Sequence, residues 1–148
     1  VLRKKLLPQR RRRAREIALQ LLYALDMRPD QSPEEAIAFF SSDNEDEEVM
    51  RYARMLVIGT WGERDEIDRL IREYVTGWRP ERMVTVDRAI LRLALHESCI
   101  ESLIPIPVAI SEAVELAKTF GTEESAKFVN GVLGKIVRAI DGKKQSNA

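Results

Sequence analysis

Apolar residues recur with helical spacing along most of the chain. Ala14, Ile17, Ala18, Leu21, Leu22 and Leu25 fall at i, i+3, i+4, i+7, i+8 and i+11, which puts one apolar stripe on a first helix starting near Arg10. Arg28-Pro29-Asp30 ends it, and Ser32-Pro33 restarts the chain with Ser as N-cap and Pro at the first helical position. The short second helix carries Ala36, Ile37 and Phe40. Two further stripes follow, Val49, Tyr52, Ala53, Leu56, Val57 and Thr60, then Ile67, Leu70, Ile71, Tyr74 and Val75. They share a phase, because Val49 and Ile67 are 18 residues apart, about five turns of 3.6 residues. This predicts one long helix, or two kinked between Gly59 and Gly62.

Gly77 and Pro80 close that segment, and Thr85 opens a helix in which Val86, Ala89, Ile90, Leu91, Leu93, Ala94 and Leu95 are apolar nearly all round. Such a helix belongs in the middle of a bundle. Pro105 and Pro107 break the chain before Ala109 to Phe120, with Gly121 expected as a C′ glycine. Thr122 is expected to cap a last helix with the stripe Ala126, Val129, Leu133, Ile136 and Ile140, and Gly131 and Gly134 suggest close approach to a neighbour. Asp141 to Ala148 is polar and expected to fray. No segment alternates with period two. The pattern predicts an all-α fold, a helical bundle of six to seven helices.

With 148 residues, 45% of them hydrophobic, the chain reads as one domain over 1–148, with 1–9 as a flexible basic arm and 141–148 as a frayed tail. One Cys excludes a disulfide framework, and one Cys with one His cannot supply the soft ligands of a structural zinc site, so no metal and no cofactor are expected. A reducing, cytoplasmic setting fits. No apolar run approaches about 18 residues, and V-L-R-K-K-L-L-P-Q-R lacks a signal peptide's apolar centre, so neither membrane nor secretion is expected. A Val at position 1 is compatible with a start that is missing or processed.

The formal net charge of zero hides a split. Residues 1–15 hold eight basic residues and no acid, leaving 16 basic against 24 acidic residues in the remainder. A basic arm on an acidic body is the asymmetry of a chain whose arm meets a polyanion. The run R-R-R-R-A-R-E at 10–16 lies where that arm becomes the first helix, which holds its charges in place for phosphate; a solvated basic tail without a ligand is the plainer alternative. At about 100° per residue from Ala14, the buried stripe centres near 10–20°, whereas Leu19, Arg12 and Tyr23 lie near 140°, 160° and 180°. They are expected to face away from the core. An aromatic ring beside a guanidinium suits single-stranded RNA, the ring stacking a base and the charge holding phosphate. Leu19 and Tyr23 packing on another helix is the competing reading.

No catalytic constellation emerges. His96 and Cys99, in H-E-S-C, sit three apart on the central helix, but nothing nearby in sequence orients the imidazole, and both read as packing groups. The glycines are scattered singly, so no phosphate-cradling loop is present. The carboxylates are expected on exposed faces and helix starts. Asp87 reads as a residue that complements a helix N-terminus, and the acidic run Asp43 to Glu48 has no assigned role beyond leading into a helix.

Four stretches carry a family resemblance: R-R-R-A-R-E-I-A-L-Q-L-L-Y, V-D-R-A-I-L-R-L-A-L-H-E, I-P-V-A-I-S-E-A-V-E-L-A-K-T-F-G and E-E-S-A-K-F-V-N-G-V-L-G-K-I. In this order, across roughly residues 10–140, the chain resembles the NusB transcription antitermination proteins. The resemblance implies two small helical subdomains that bind the boxA element of nascent RNA together with the ribosomal protein NusE, a complex that modifies RNA polymerase on ribosomal RNA operons. It puts RNA binding on Arg10, Arg11, Arg12, Arg13, Arg15 and Tyr23, and brings Glu124, Lys127 and Phe128 near the RNA, with Lys127 as a phosphate contact. Asp87 matches an acidic position of the family's partner surface. Members are monomers or dimers, so the resemblance allows a homodimer. This chain departs from many members at Ala126, where they have His, and at His96, where they have Tyr.

Two other function classes compete. Similar helical domains begin ribosomal RNA cytosine methyltransferases, so the chain could be such a domain detached; that enzyme needs an α/β domain with a glycine-rich cofactor loop, which these 148 residues do not contain. A protein-only module would instead use the Leu19 and Tyr23 surface for a partner helix.

Overall fold

The computed structural model describes residues 2–28 and 30–146, with side-chain surroundings for 7–28 and 30–143. Among these residues there are seven α-helices and no strand: α1 (Leu2–Met27), α2 (Pro33–Phe39), α3 (Glu47–Gly62), α4 (Arg64–Tyr74), α5 (Thr85–Leu95), α6 (Ile106–Phe120) and α7 (Ser125–Ser146). A 3₁₀ turn, Pro80–Arg82, precedes α5, and a π-turn, His96–Ile100, follows it. The chain divides into two compact units, residues 1–62 and 63–148.

In the first unit, α1 packs on α3 and both touch α2. The expected stripe of α1, from Ala14 to Leu25, is buried with Val49, Met50, Ala53, Leu56 and Val57 of α3. Helical backbone starts at Leu2, well before the stripe, and the side chains of Arg3, Lys4 and Lys5 lie outside the described residues. Pro29, expected to help end α1, also lies outside them. The opening of α2 is a full capping box: Ser32 Oγ accepts from the Glu35 N–H at 3.1 Å, and Glu35 Oε1 accepts from the Ser32 N–H at 3.4 Å. Asp46 starts α3 in the same spirit, its Oδ1 accepting from the N–H groups of Glu48 at 2.8 Å and Val49 at 3.4 Å.

The shared phase of the two middle stripes resolves as two helices, broken at Glu63, whose φ of −102° and ψ of 11° leave the helical region. In the second unit, α5 packs against α4, α6 and α7. Its run from Ala89 to Leu95 is wholly buried, as an all-round apolar helix must be. Not all carboxylates are solvated, however: Asp68, Asp87 and Glu97 are buried. Asp68 takes a bidentate ion pair from Arg92, at 3.0 and 2.6 Å, which compensates both charges.

Three glycine expectations change. Gly121 is extended, at φ −95° and ψ −167°, rather than a left-handed cap. It is required by space, because a Cβ there would come within 2.5 Å of Ser125 and 2.8 Å of the Ala117 carbonyl oxygen. Gly131 meets nothing within 4 Å and Gly134 only the Arg138 side chain, so neither marks a close helix approach. At the start of α7 the capping runs opposite to expectation, with the Thr122 N–H donating to Ser125 Oγ at 2.9 Å. The tail expected to fray from Asp141 keeps helical backbone to Ser146, and Asn147 and Ala148 lie outside the described residues.

Candidate nucleic-acid interface

Five arginines of α1 lie between positions 10 and 15, and the helix twist distributes them in different directions. Arg12 and Tyr23 are both exposed, Tyr23 by 40%. They lie about 20° apart around α1 and, at 1.5 Å per residue, about 16 Å apart along it. This leaves a strip with a guanidinium at one end and an aromatic ring at the other. Leu19, expected on the same face, is only 2% exposed. The buried arc of α1 runs from Ile17 to Leu19, roughly 200° of the circumference, so it reaches past the stripe and takes in Leu19.

The other four arginines of the run are half-buried or buried. Arg15 is 4% exposed and belongs to the interior. Arg11 lies over the Tyr52 ring of α3, its Cζ 3.8 Å from the ring centroid, a cation–π contact within the first unit. Arg10 is paired with Glu48 at 3.0 Å and with Asp46 at 3.7 Å. Arg13 Nε donates to Glu45 at 3.1 Å, and its Nη1 lies 3.4 Å from Glu16. The hydrogen bond to Glu45 pushes the Arg13 guanidinium further toward the charged form. The acidic run that had no role in the sequence is therefore the internal counter-charge of Arg10 and Arg13, as well as the cap of α3.

Next to Tyr23 lies a groove of about 490 Å³ between α1 and α2, lined among others by Gln20, Tyr23, Met27, Arg28, Phe39 and Phe40. Met27 is 55% and Phe39 80% exposed. Exposed apolar side chains gathered beside a groove can serve as a surface for a partner. Sequence reading missed this groove; the signal was Met27 on the outward side of the first helix and an unpartnered Phe39 closing the second.

Glu124, Lys127 and Phe128 lie in the second unit, where α7 begins. Glu124 and Lys127 are exposed and Phe128 is half-buried, with its N–H donated to the Glu124 carbonyl at 3.0 Å. Spacing of three and four puts them on one side of the turn. Ala126 is half-buried beside them. Asp87 is buried in the first turn of α5, and its Oδ1 has no hydrogen-bond partner among the described residues.

The NusB family model matches residues 12–138. The transcription antitermination protein NusB of Symbiobacterium thermophilum is 47% identical over 140 residues, 89% of this chain and 92% of that protein. Among solved structures, T. maritima NusB is similar with a TM-score of 0.77 at 37% identity, covering 86% of this chain and 90% of that one. A chain in a crystal structure of antitermination factors NusB and NusE in complex with dsRNA is similar with a TM-score of 0.75 at 28% identity, covering 88% of this chain and 98% of that one.

Proposed function

The chain belongs to the NusB family, and on that premise we propose that it is an RNA-binding transcription antitermination factor without catalytic activity. It binds the boxA element of nascent ribosomal RNA jointly with the ribosomal protein NusE and so joins the antitermination complex on RNA polymerase in the cytoplasm. The observation that carries this reading is the exposed strip of α1, with Arg12 and Tyr23 on one face. Arg12 holds a phosphate while the Tyr23 ring stacks an unpaired base, a contact worth about 1–3 kcal/mol. Lys127 contributes a second phosphate contact on the other unit, with Glu124 and Phe128 near the RNA. The groove at Met27 and Phe39 takes an apolar segment of the protein partner; that a similar chain was solved as NusB with NusE and dsRNA supports a joint role with protein and RNA.

The test is fluorescence anisotropy of labelled boxA RNA with the full chain, alone and with NusE. Affinity should rise sharply when NusE is added, because two weak binders on one strand share a high effective concentration. Phe39→Glu should remove that rise and leave RNA binding by the chain alone unchanged. An absence of any RNA response, with or without NusE, would instead favour a module that binds protein only.

A further inference from the structure

In the second unit, the chain's single histidine meets two glutamates. His96 is 2% exposed, and its Nδ1 has no hydrogen-bond partner among the described residues. Glu63 Oε1 lies 3.7 Å from it, and Glu63 Oε2 is itself buried without a hydrogen-bond partner among the described residues. Glu101 completes the group: one donor atom from each of the three residues lies within 4.8 Å of the others.

Local backbone explains why they meet. Glu63 is the break between α3 and α4, so its side chain is not committed to a helix face and makes no capping hydrogen bond. His96 opens the π-turn, and Glu101 closes it by donating its N–H to the His96 carbonyl at 3.0 Å. In an α-helix, residues five apart lie about 140° apart around the axis. The wider i→i+5 turn brings Glu101 back over His96, and turns of this kind recur at functional sites. Glu101 is exposed, which leaves a way in for an ion.

We propose that Glu63, His96 and Glu101 bind one zinc ion, with water as the fourth ligand. The donor set is one imidazole nitrogen and two carboxylate oxygens, which suits tetrahedral zinc. Bond lengths near 2.1 Å place such donors about 3.4 Å apart, so the present spacing closes onto an ion with small side-chain movements. Burial lowers the His96 pKa, against the pull of Glu101 and Glu97. Burial, then hydrogen bonding and charge from the facing Glu101 carboxyl, raises the Glu63 pKa. Counting soft ligands in the sequence missed this site, because two of its three ligands are carboxylates more than 30 residues apart.

The untagged full chain should be titrated with ZnCl₂ while the ring resonances of its one histidine are followed by ¹H–¹⁵N correlation. The expected result is a shift of the Nδ1 signal that saturates at one equivalent, with MgCl₂ leaving it in place. Glu101→Gln, at an exposed position that the fold tolerates, should weaken zinc binding at least about tenfold. Cys99→Ser should not change it. The proposal is overturned by an unmoved ring signal at several equivalents of zinc, by unchanged binding in Glu101→Gln, or by loss of binding in Cys99→Ser.

Discussion

The two long sides of α1 carry the same kind of residue and do different things. On one, Arg12 and Tyr23 are exposed about 20° apart. On the other, Arg10 and Arg13 are held by Glu45, Asp46 and Glu48 of the segment that leads into α3. A run of arginines is thus not one electrostatic unit. The twist of the helix divides it, and an acidic loop from the same unit neutralises the part it can reach. Between the two sides, Arg15 and Leu19 are taken into the interior.

The largest expected effect concerns that interior edge. Leu19→Ala should cost about 2–5 kcal/mol of stability, as deletion of a buried leucine does. Tyr23→Ala, four residues on but 40% exposed, should cost far less. Chemical denaturation of both variants checks this, and equal losses would mean that Tyr23 is a core residue. Next in size, Tyr23→Asp should weaken boxA RNA binding by roughly five- to 150-fold, the loss of about 1–3 kcal/mol of base stacking, with unchanged helical circular dichroism.

A smaller effect of opposite sign is expected from the neutralised side. Exposed ion pairs contribute about 0.2–1 kcal/mol each. Combining Glu45→Gln, Asp46→Asn and Glu48→Gln releases Arg10 and Arg13 to phosphate, so RNA should bind about two- to tenfold more tightly. The log–log salt slope should steepen by up to about 0.7 for each arginine recruited. Asp46→Asn retains the side-chain oxygen that caps α3, so the helix survives the change. Anisotropy titrations at several salt concentrations measure both quantities. The smallest effect falls on Arg11. Its contact with Tyr52 is internal, so Arg11→Lys should lower stability by about 0.5–1 kcal/mol in a thermal melt and leave RNA affinity unchanged.

The residues legible from sequence were those whose role depends on near neighbours. The stripe from Ala14 to Leu25, the Ser32-Pro33 start of α2 and the all-round burial of Ala89 to Leu95 follow from spacing and capping alone, and the structure has them. Arg12 and Tyr23 were paired by the same helical arithmetic. What stayed hidden depends on partners distant in sequence. The acidic run lies 32 to 38 residues from the arginines it holds, so local patterning shows the charges and not the pairing. The burial of Leu19 reflects how much of α1 is covered, which one amphipathic stripe does not report. The π-turn after α5 has no compositional marker, so the meeting of His96 with Glu101 could not be read from H-E-S-C-I-E.

The most direct test compares two arginines two residues apart. Labelled boxA RNA should be titrated by anisotropy against Arg12→Gln and Arg10→Gln at matched salt. Arg12→Gln should weaken binding about tenfold and make the salt slope shallower by about 0.7, while Arg10→Gln should change affinity by less than about twofold. Equal losses in the two variants, or a larger loss in Arg10→Gln, would contradict the claim that the Arg12 and Tyr23 face receives the RNA.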